Sequence, residues 1–204
     1  TQFSFGDASQ FSLLRHPPML NATQTDKANA DSVDLGQGNS ATGKLDTSTP
    51  TAFVNSIMPY AKRAAAELGI DPRAIVAQAA LETGWGKHVM DDSQGKSSLN
   101  LFGIKTGDAW QGDKATVQTT EYRQNVAVRE VADFRSYNNL DHAFDDYVSF
   151  LKNNPRYADA LKHSSDGTQW GTHLQKAGYA TDPEYGKKIA KLVESDEISG
   201  IPKA

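Results

Sequence analysis

Residues 78–86 read Gln78-Ala79-Ala80-Leu81-Glu82-Thr83-Gly84-Trp85-Gly86, and the organisation of the chain is built around this stretch. A carboxylate stands near the end of an apolar, alanine-rich helix, followed at once by Gly-Trp-Gly. The alanines make the helix slim enough to lie centrally among other helices. Burial beside an aromatic ring disfavours the ionised form of a carboxyl group, so a Glu in this setting can stay protonated near neutral pH and serve as a general acid. The two glycines let the chain turn sharply and leave room beside the acid. The same pattern also fits a surface Glu ahead of a helix-capping glycine, and the nine residues alone leave both readings open.

Upstream, Thr49 is placed to cap a helix, and Pro50 falls at its first position, where a missing N–H costs nothing. Phe53, Ile57, Ala61, Ala64 and Leu68 recur at helical spacing until Gly69 stops them. Asp71 and Pro72 repeat the signal and open the helix that carries Glu82. Downstream, residues 115–137 turn rich in Thr, Val, Tyr and Phe with partial alternation, which predicts two strands meeting near Gln124–Asn125. Helical spacing returns with Leu140, Phe144, Tyr147, Val148 and Leu151 on one face. A short helix is expected over about 155–163. Another is capped by Asp166, holds Trp170 and Leu174 and closes at Gly178. The last opens at Asp182–Pro183 with Ile189, Leu192 and Val193 facing inward. The fold class is therefore α+β, a mainly helical lobe with one small β-hairpin lobe. Residues 50–195 form this domain and 196–204 a C-terminal tail.

Residues 21–50 are dominated by Asn, Asp, Thr, Ser and Gly, and cannot bury enough surface to offset their ordering entropy. Residues 1–49 are expected to be a disordered linker joined to the end of an upstream region; the apolar residues among 1–20 could instead dock on a neighbour or in a cleft. The chain starts at Thr1, so a fragment is expected, with a targeting signal or another domain upstream. The formal net charge is −4 with no long basic run, which removes the electrostatic footprint of a nucleic-acid binder. No apolar run is long enough to cross a bilayer, so membrane insertion is not expected. The absence of cysteine excludes disulfides, thiolate zinc sites and cysteine nucleophiles together. The five histidines, among them His88, His142, His163 and His173, show no close pair at metal-ligand spacing, so no metal and no cofactor is expected.

Three further stretches could supply chemistry. Thr119-Thr120-Glu121-Tyr122 puts a carboxylate on the first strand, where it could face Glu82 and complete a pair; it could equally be a solvated Glu paired with Arg123, Arg129 or Arg135. Asn100-Leu101-Phe102-Gly103-Ile104-Lys105 lies between acid and hairpin. Asn100 could hold a turn, and Phe102 could line a cleft or pack in the core. Ala177-Gly178-Tyr179-Ala180-Thr181-Asp182-Pro183 offers Tyr179, whose ring could stack on a sugar while its hydroxyl orients a water or an acetamido group; it could equally cover the core edge.

QAALETGWG, NLFGIK, the Glu121 hairpin, YNNLDHAFDDYVSFLKNNPRY and AGYATDPEYGKKI follow one another in an order that resembles the glucosaminidase domain of glycoside hydrolase family 73, and within it the flagellar-rod members. The resemblance covers roughly residues 50–195. It implies a lysozyme-like fold with a cleft between the α-lobe and the β-hairpin lobe. It also implies hydrolysis of the β-1,4 bond from N-acetylglucosamine to N-acetylmuramic acid in peptidoglycan. By motif, Glu82 corresponds to the acid, Glu121 to the β-lobe carboxylate and Tyr179 to the tyrosine of the last block. Trp85, Asn100, Phe102 and Tyr122 become the candidates for substrate contact. Thr83 stands where Ser is commoner and keeps the hydroxyl. The implied partners are peptidoglycan glycan strands and, through an upstream domain, flagellar rod proteins. The implied location is the periplasm, reached through the flagellar secretion apparatus. Two rivals are a lytic transglycosylase, which makes an anhydro product, and a wall-binding or rod-scaffolding module without catalysis.

Overall fold

The computed structural model describes residues 43–123, 126–163 and 166–202, without the side chains of 119–128. Helix α1 spans Pro50–Leu68. Thr49 caps it by accepting the Ala52 N–H at 3.0 Å, and Gly69 ends it in the left-handed region. Phe53, Ile57, Ala61, Ala64 and Leu68 are all buried, as their spacing requires. Helix α2 spans Pro72–Thr83 behind the Asp71 cap. Ten of its twelve residues are buried, with Arg73 and Leu81 the exceptions. Its alanines allow this: α2 packs against α1 and the two later helices α5 (Gly167–Lys176) and α6 (Tyr185–Val193), whose backbones must come close.

Strands β1 (Lys114–Arg123) and β2 (Val126–Arg135) pair antiparallel, with Lys114 opposite Arg135 and Glu121 opposite Val128. Their expected meeting point at Gln124–Asn125 lies outside the described residues. Helix α3 (Leu140–Lys152) buries Leu140, Phe144, Tyr147, Val148 and Leu151. A 3-10 turn at Pro155–Tyr157 leads into α4 (Ala158–Lys162), and α5 begins behind its Asp166 cap. Helices α5 and α6 cross where glycine meets its neighbour. A Cβ on Gly171 would stand 2.6 Å from the Ile189 Cβ, and one on Gly186 would stand 2.7 Å from the Thr172 Oγ1.

Packed structure reaches beyond both expected limits of the domain. Residues 196–199, expected in a tail, form α7 (Asp196–Ser199), whose Ile198 is fully buried in the main core. Four residues are too few to show periodicity, which is why the helix is hidden in the sequence. At the other end, Leu45 packs on the core and Thr47 touches the backbone turn at Gly86, so residues 43–49 lie on the domain rather than in the linker. Residues 1–42 lie outside the described residues.

The hairpin joins the helical lobe at its open end. Asn100 donates through Nδ2 to the Ile104 carbonyl at 2.8 Å and to the Arg135 carbonyl at 2.9 Å, and its Oδ1 accepts the Ile104 N–H at 3.0 Å. One buried amide thus closes the 100–104 loop and ties it to the end of β2. Arg135 continues the tie, pairing with Asp146 of α3 at 2.7 and 2.8 Å, while Tyr137 donates to the same carboxylate at 2.7 Å. Removing the Asn100 side chain would leave the Ile104 N–H and the Arg135 carbonyl without this partner, each costing about 1–3 kcal/mol if unsatisfied, while the Ile104 carbonyl keeps the Arg135 N–H. Asn100→Ala is expected to lower unfolding stability by about 3 kcal/mol, read as a lower urea midpoint at unchanged slope.

Candidate active site

The last turn of α2 is fastened by its own side chains. The Thr83 hydroxyl donates to the Ala79 carbonyl at 2.7 Å and accepts the Gly86 N–H at 2.8 Å. A serine would serve equally, which accounts for the exchange at this position. Gly84 caps the helix in the left-handed region, and Trp85 follows with φ 60°. Gly86, at φ 81°, has no room for a Cβ, which would stand 2.6 Å from the Thr47 methyl and 2.8 Å from the Phe53 ring. Trp85 is half-buried and meets Phe53 edge to face at 6.4 Å.

This turn holds Glu82 on the inward face of α2, with 6% of its surface exposed. Oε1 accepts the Tyr185 hydroxyl at 3.2 Å. Oε2 is buried and has no hydrogen-bond partner among the described residues. Burial pushes the carboxyl well above the usual Glu range, and the Tyr185 hydrogen bond opposes this only in part. The protonated form is thereby favoured, and its proton has a natural place on Oε2, the oxygen that no side chain occupies.

The surroundings are aromatic and hydroxylated. Tyr185 stacks on Tyr179 at 6.1 Å, and Tyr179 stands 5.8 Å from Tyr157. The Tyr147, Tyr179 and Tyr185 hydroxyls are raised well above the ordinary phenol range, first by burial, with the nearby Glu82 adding to it. They act as neutral donors. One helical turn before Glu82, Gln78 accepts the Tyr147 hydroxyl at 2.7 Å and the Trp170 N–H at 3.1 Å. Residues four apart share a helix face, so this knot of side chains also fixes the face that presents Glu82.

The sequence candidates separate in this geometry. Glu82 occupies the position its pattern suggested, in an enclosed rather than a surface setting. Tyr179 comes close to it but is fully buried, and its hydroxyl donates to the Phe102 carbonyl at 2.8 Å. The tyrosine that reaches Glu82 is Tyr185, which sequence reasoning missed although it lies in the same block, inside Asp182-Pro183-Glu184-Tyr185. Asn100 and Phe102, expected to touch substrate, are buried and serve the fold: Asn100 through its backbone ties, Phe102 by stacking on Tyr147 at 3.9 Å. Glu121 and Tyr122 sit on β1, with side chains outside the described residues. A surface cavity of about 630 Å³ lies beyond the turn, lined by Gly43, Leu45, Thr47, Gly86 and Val89 among others; Glu82 is not part of its wall.

The raised Glu82 carboxyl makes stability depend on pH. In the unfolded chain such a group ionises near 4.5. Above that pH the unfolded state releases the proton while the folded state retains it, so stability falls as pH rises towards the raised folded value, by up to about 1.4 kcal/mol per unit. Glu82→Gln removes this dependence. Urea midpoints are expected to favour the variant increasingly above the ordinary Glu range, with no pH-dependent difference below it. A difference that stays constant with pH would mean that the carboxyl titrates normally.

Residues 58–197 match the glucosaminidase family, described as mannosyl-glycoprotein endo-beta-N-acetylglucosaminidase. The chain is 45% identical over 176 residues to the peptidoglycan hydrolase FlgJ of Vibrio parahaemolyticus, covering 86% of this chain and 56% of that one. Across such relatives it spans about half of their length. A mutant peptidoglycan hydrolase from Sphingomonas sp. A1 superimposes with a TM-score of 0.69 at 40% identity, over 73% of this chain and 96% of that one. A C-terminally truncated glycoside hydrolase domain of Salmonella typhimurium FlgJ gives 0.62 at 35% identity, over 76% and 100%. The fold is that of these lysozyme-like structures.

Proposed function

The chain belongs to the glucosaminidase family, and we propose that it hydrolyses the β-1,4 bond between N-acetylglucosamine and N-acetylmuramic acid in peptidoglycan, with Glu82 as the acid. The observation that supports this most is a buried carboxyl whose Oε2 has no partner among the described residues and whose burial favours the protonated form. Oε2 donates its proton to the bridging glycosidic oxygen, and the bond from that oxygen to the anomeric carbon breaks. Positive charge then develops on the sugar. It is relieved by water directly, with Glu121 taking the water's proton, or by the substrate's own acetamido oxygen, with water opening the resulting ring afterwards. Inversion through Glu121 needs the two carboxyls about 6.5–9.5 Å apart.

Tyr185 holds the Glu82 carboxyl in position and, as the proton leaves, its hydrogen bond steadies the carboxylate. Tyr179 supports Tyr185 from behind. Trp85 and Tyr122 are the candidates for stacking on sugar rings. The setting we infer is local wall opening during flagellar rod assembly, in the periplasm, after passage through the flagellar secretion apparatus. Contacts with rod proteins would then fall to the part of the relatives' length that this chain does not span.

Glu82→Gln is expected to fold and to lose roughly 10²–10⁴-fold in the rate of peptidoglycan clearing, measured by dye release from purified sacculi. An undiminished rate would remove Glu82 from the mechanism. Mass spectrometry of the digest is expected to show reducing N-acetylglucosamine ends. Anhydromuramyl ends would mean a lytic transglycosylase, and no release at all a wall-binding module. Glu121→Gln separates the two routes, with a large loss under direct inversion and a small one under acetamido assistance.

A further inference from the structure

Asp159 and His163 are four residues apart on α4 and its cap, and His173 follows ten residues later on α5. That spacing carries no ligand signature. The corner between the two helices supplies what the spacing does not. The His163 and His173 rings lie nearly parallel, 16° apart with centroids at 5.4 Å. The His163 Nδ1 stands 3.4 Å from the Asp159 carboxylate and 2.9 Å from the Asp159 carbonyl. One donor atom from each of the three residues falls within 4.8 Å of the others.

We propose that Asp159, His163 and His173 bind a zinc ion that clamps α4 to α5. Two imidazoles and one carboxylate are donors zinc accepts, and a water completes a tetrahedron. Zinc–ligand bonds of about 2.0–2.2 Å set neighbouring donors about 3.3 Å apart. The donors must therefore close by about 1 Å or more. The side chains are free to do so: those of Asp159 and His163 are 79% and 57% exposed, so ordinary rotamer changes suffice. Helix α4 has only five residues and little stability of its own, so a cross-link to α5 has something to hold. None of the three residues takes part in the Glu82 site.

Zinc chloride titrated into the full chain by calorimetry is expected to show one ion bound per chain in the micromolar range, and thermal melts are expected to shift upward with zinc and return with a chelator. His163→Ala and His173→Ala should each weaken binding at least about tenfold and abolish the shift. His142→Ala, at another exposed histidine, should change neither. All three variants should match the unaltered chain in circular dichroism, because the replaced side chains lie largely outside the core. Millimolar binding, or equal binding by His163→Ala and the unaltered chain, would overturn the proposal.

Discussion

A carboxyl group enclosed by tyrosine rings, with one hydroxyl for a partner, is the constraint to which the rest of the domain is fitted. Enclosing it requires a helix narrow enough to be covered on nearly every side, and the alanines of α2 provide that. It requires a helix end that does not fray, and Thr83 fastens it from within. It requires α6 to pack on α2 closely enough for the Tyr185 hydroxyl to reach Oε1, while the glycines at the α5–α6 crossing let α6 also lie close against α5. These are small side chains, and the alanines and glycines act by taking up little space. The chemistry of Glu82 rests on bulk being withheld around it.

The helical lobe was largely legible in the sequence because its signals are local. Thr49, Asp71 and Asp166 each cap the helix their pattern announced, and the apolar repeat of α3 is the buried face of α3. The strands begin and end within a residue or two of the compositional change. What was not legible depends on contacts between distant segments. Tyr179 and Tyr185 are six residues apart in one motif, and only the packing of α6 on α2 decides which hydroxyl meets Glu82. Asn100 bonds to backbone groups on both sides of the hairpin junction, a commitment visible only once the end of β2 is located. His163 and His173 meet because α4 packs on α5, which no periodicity records.

Among the described residues, the polar groups around Glu82 are neutral ones: the amide of Gln78, the indole of Trp170 and the phenols of Tyr147, Tyr179 and Tyr185. Such an environment raises the acid without offering a cation that would discharge it. It also means that removing a single hydroxyl shifts the balance by the strength of one hydrogen bond, and not by that of an ion pair.

The attachment of the hairpin has a mechanical consequence. Its ties to α3 gather at Arg135 and Tyr137, beside the Asn100 junction with the 100–104 loop, while Glu121 stands seven residues along β1 from Lys114. At about 3.3 Å of rise per residue, that is an arm of about 23 Å. A tilt of about 10° at the pivot therefore swings the Glu121 backbone through about 4 Å, more than the width of the water layer that separates one glycosidase geometry from another.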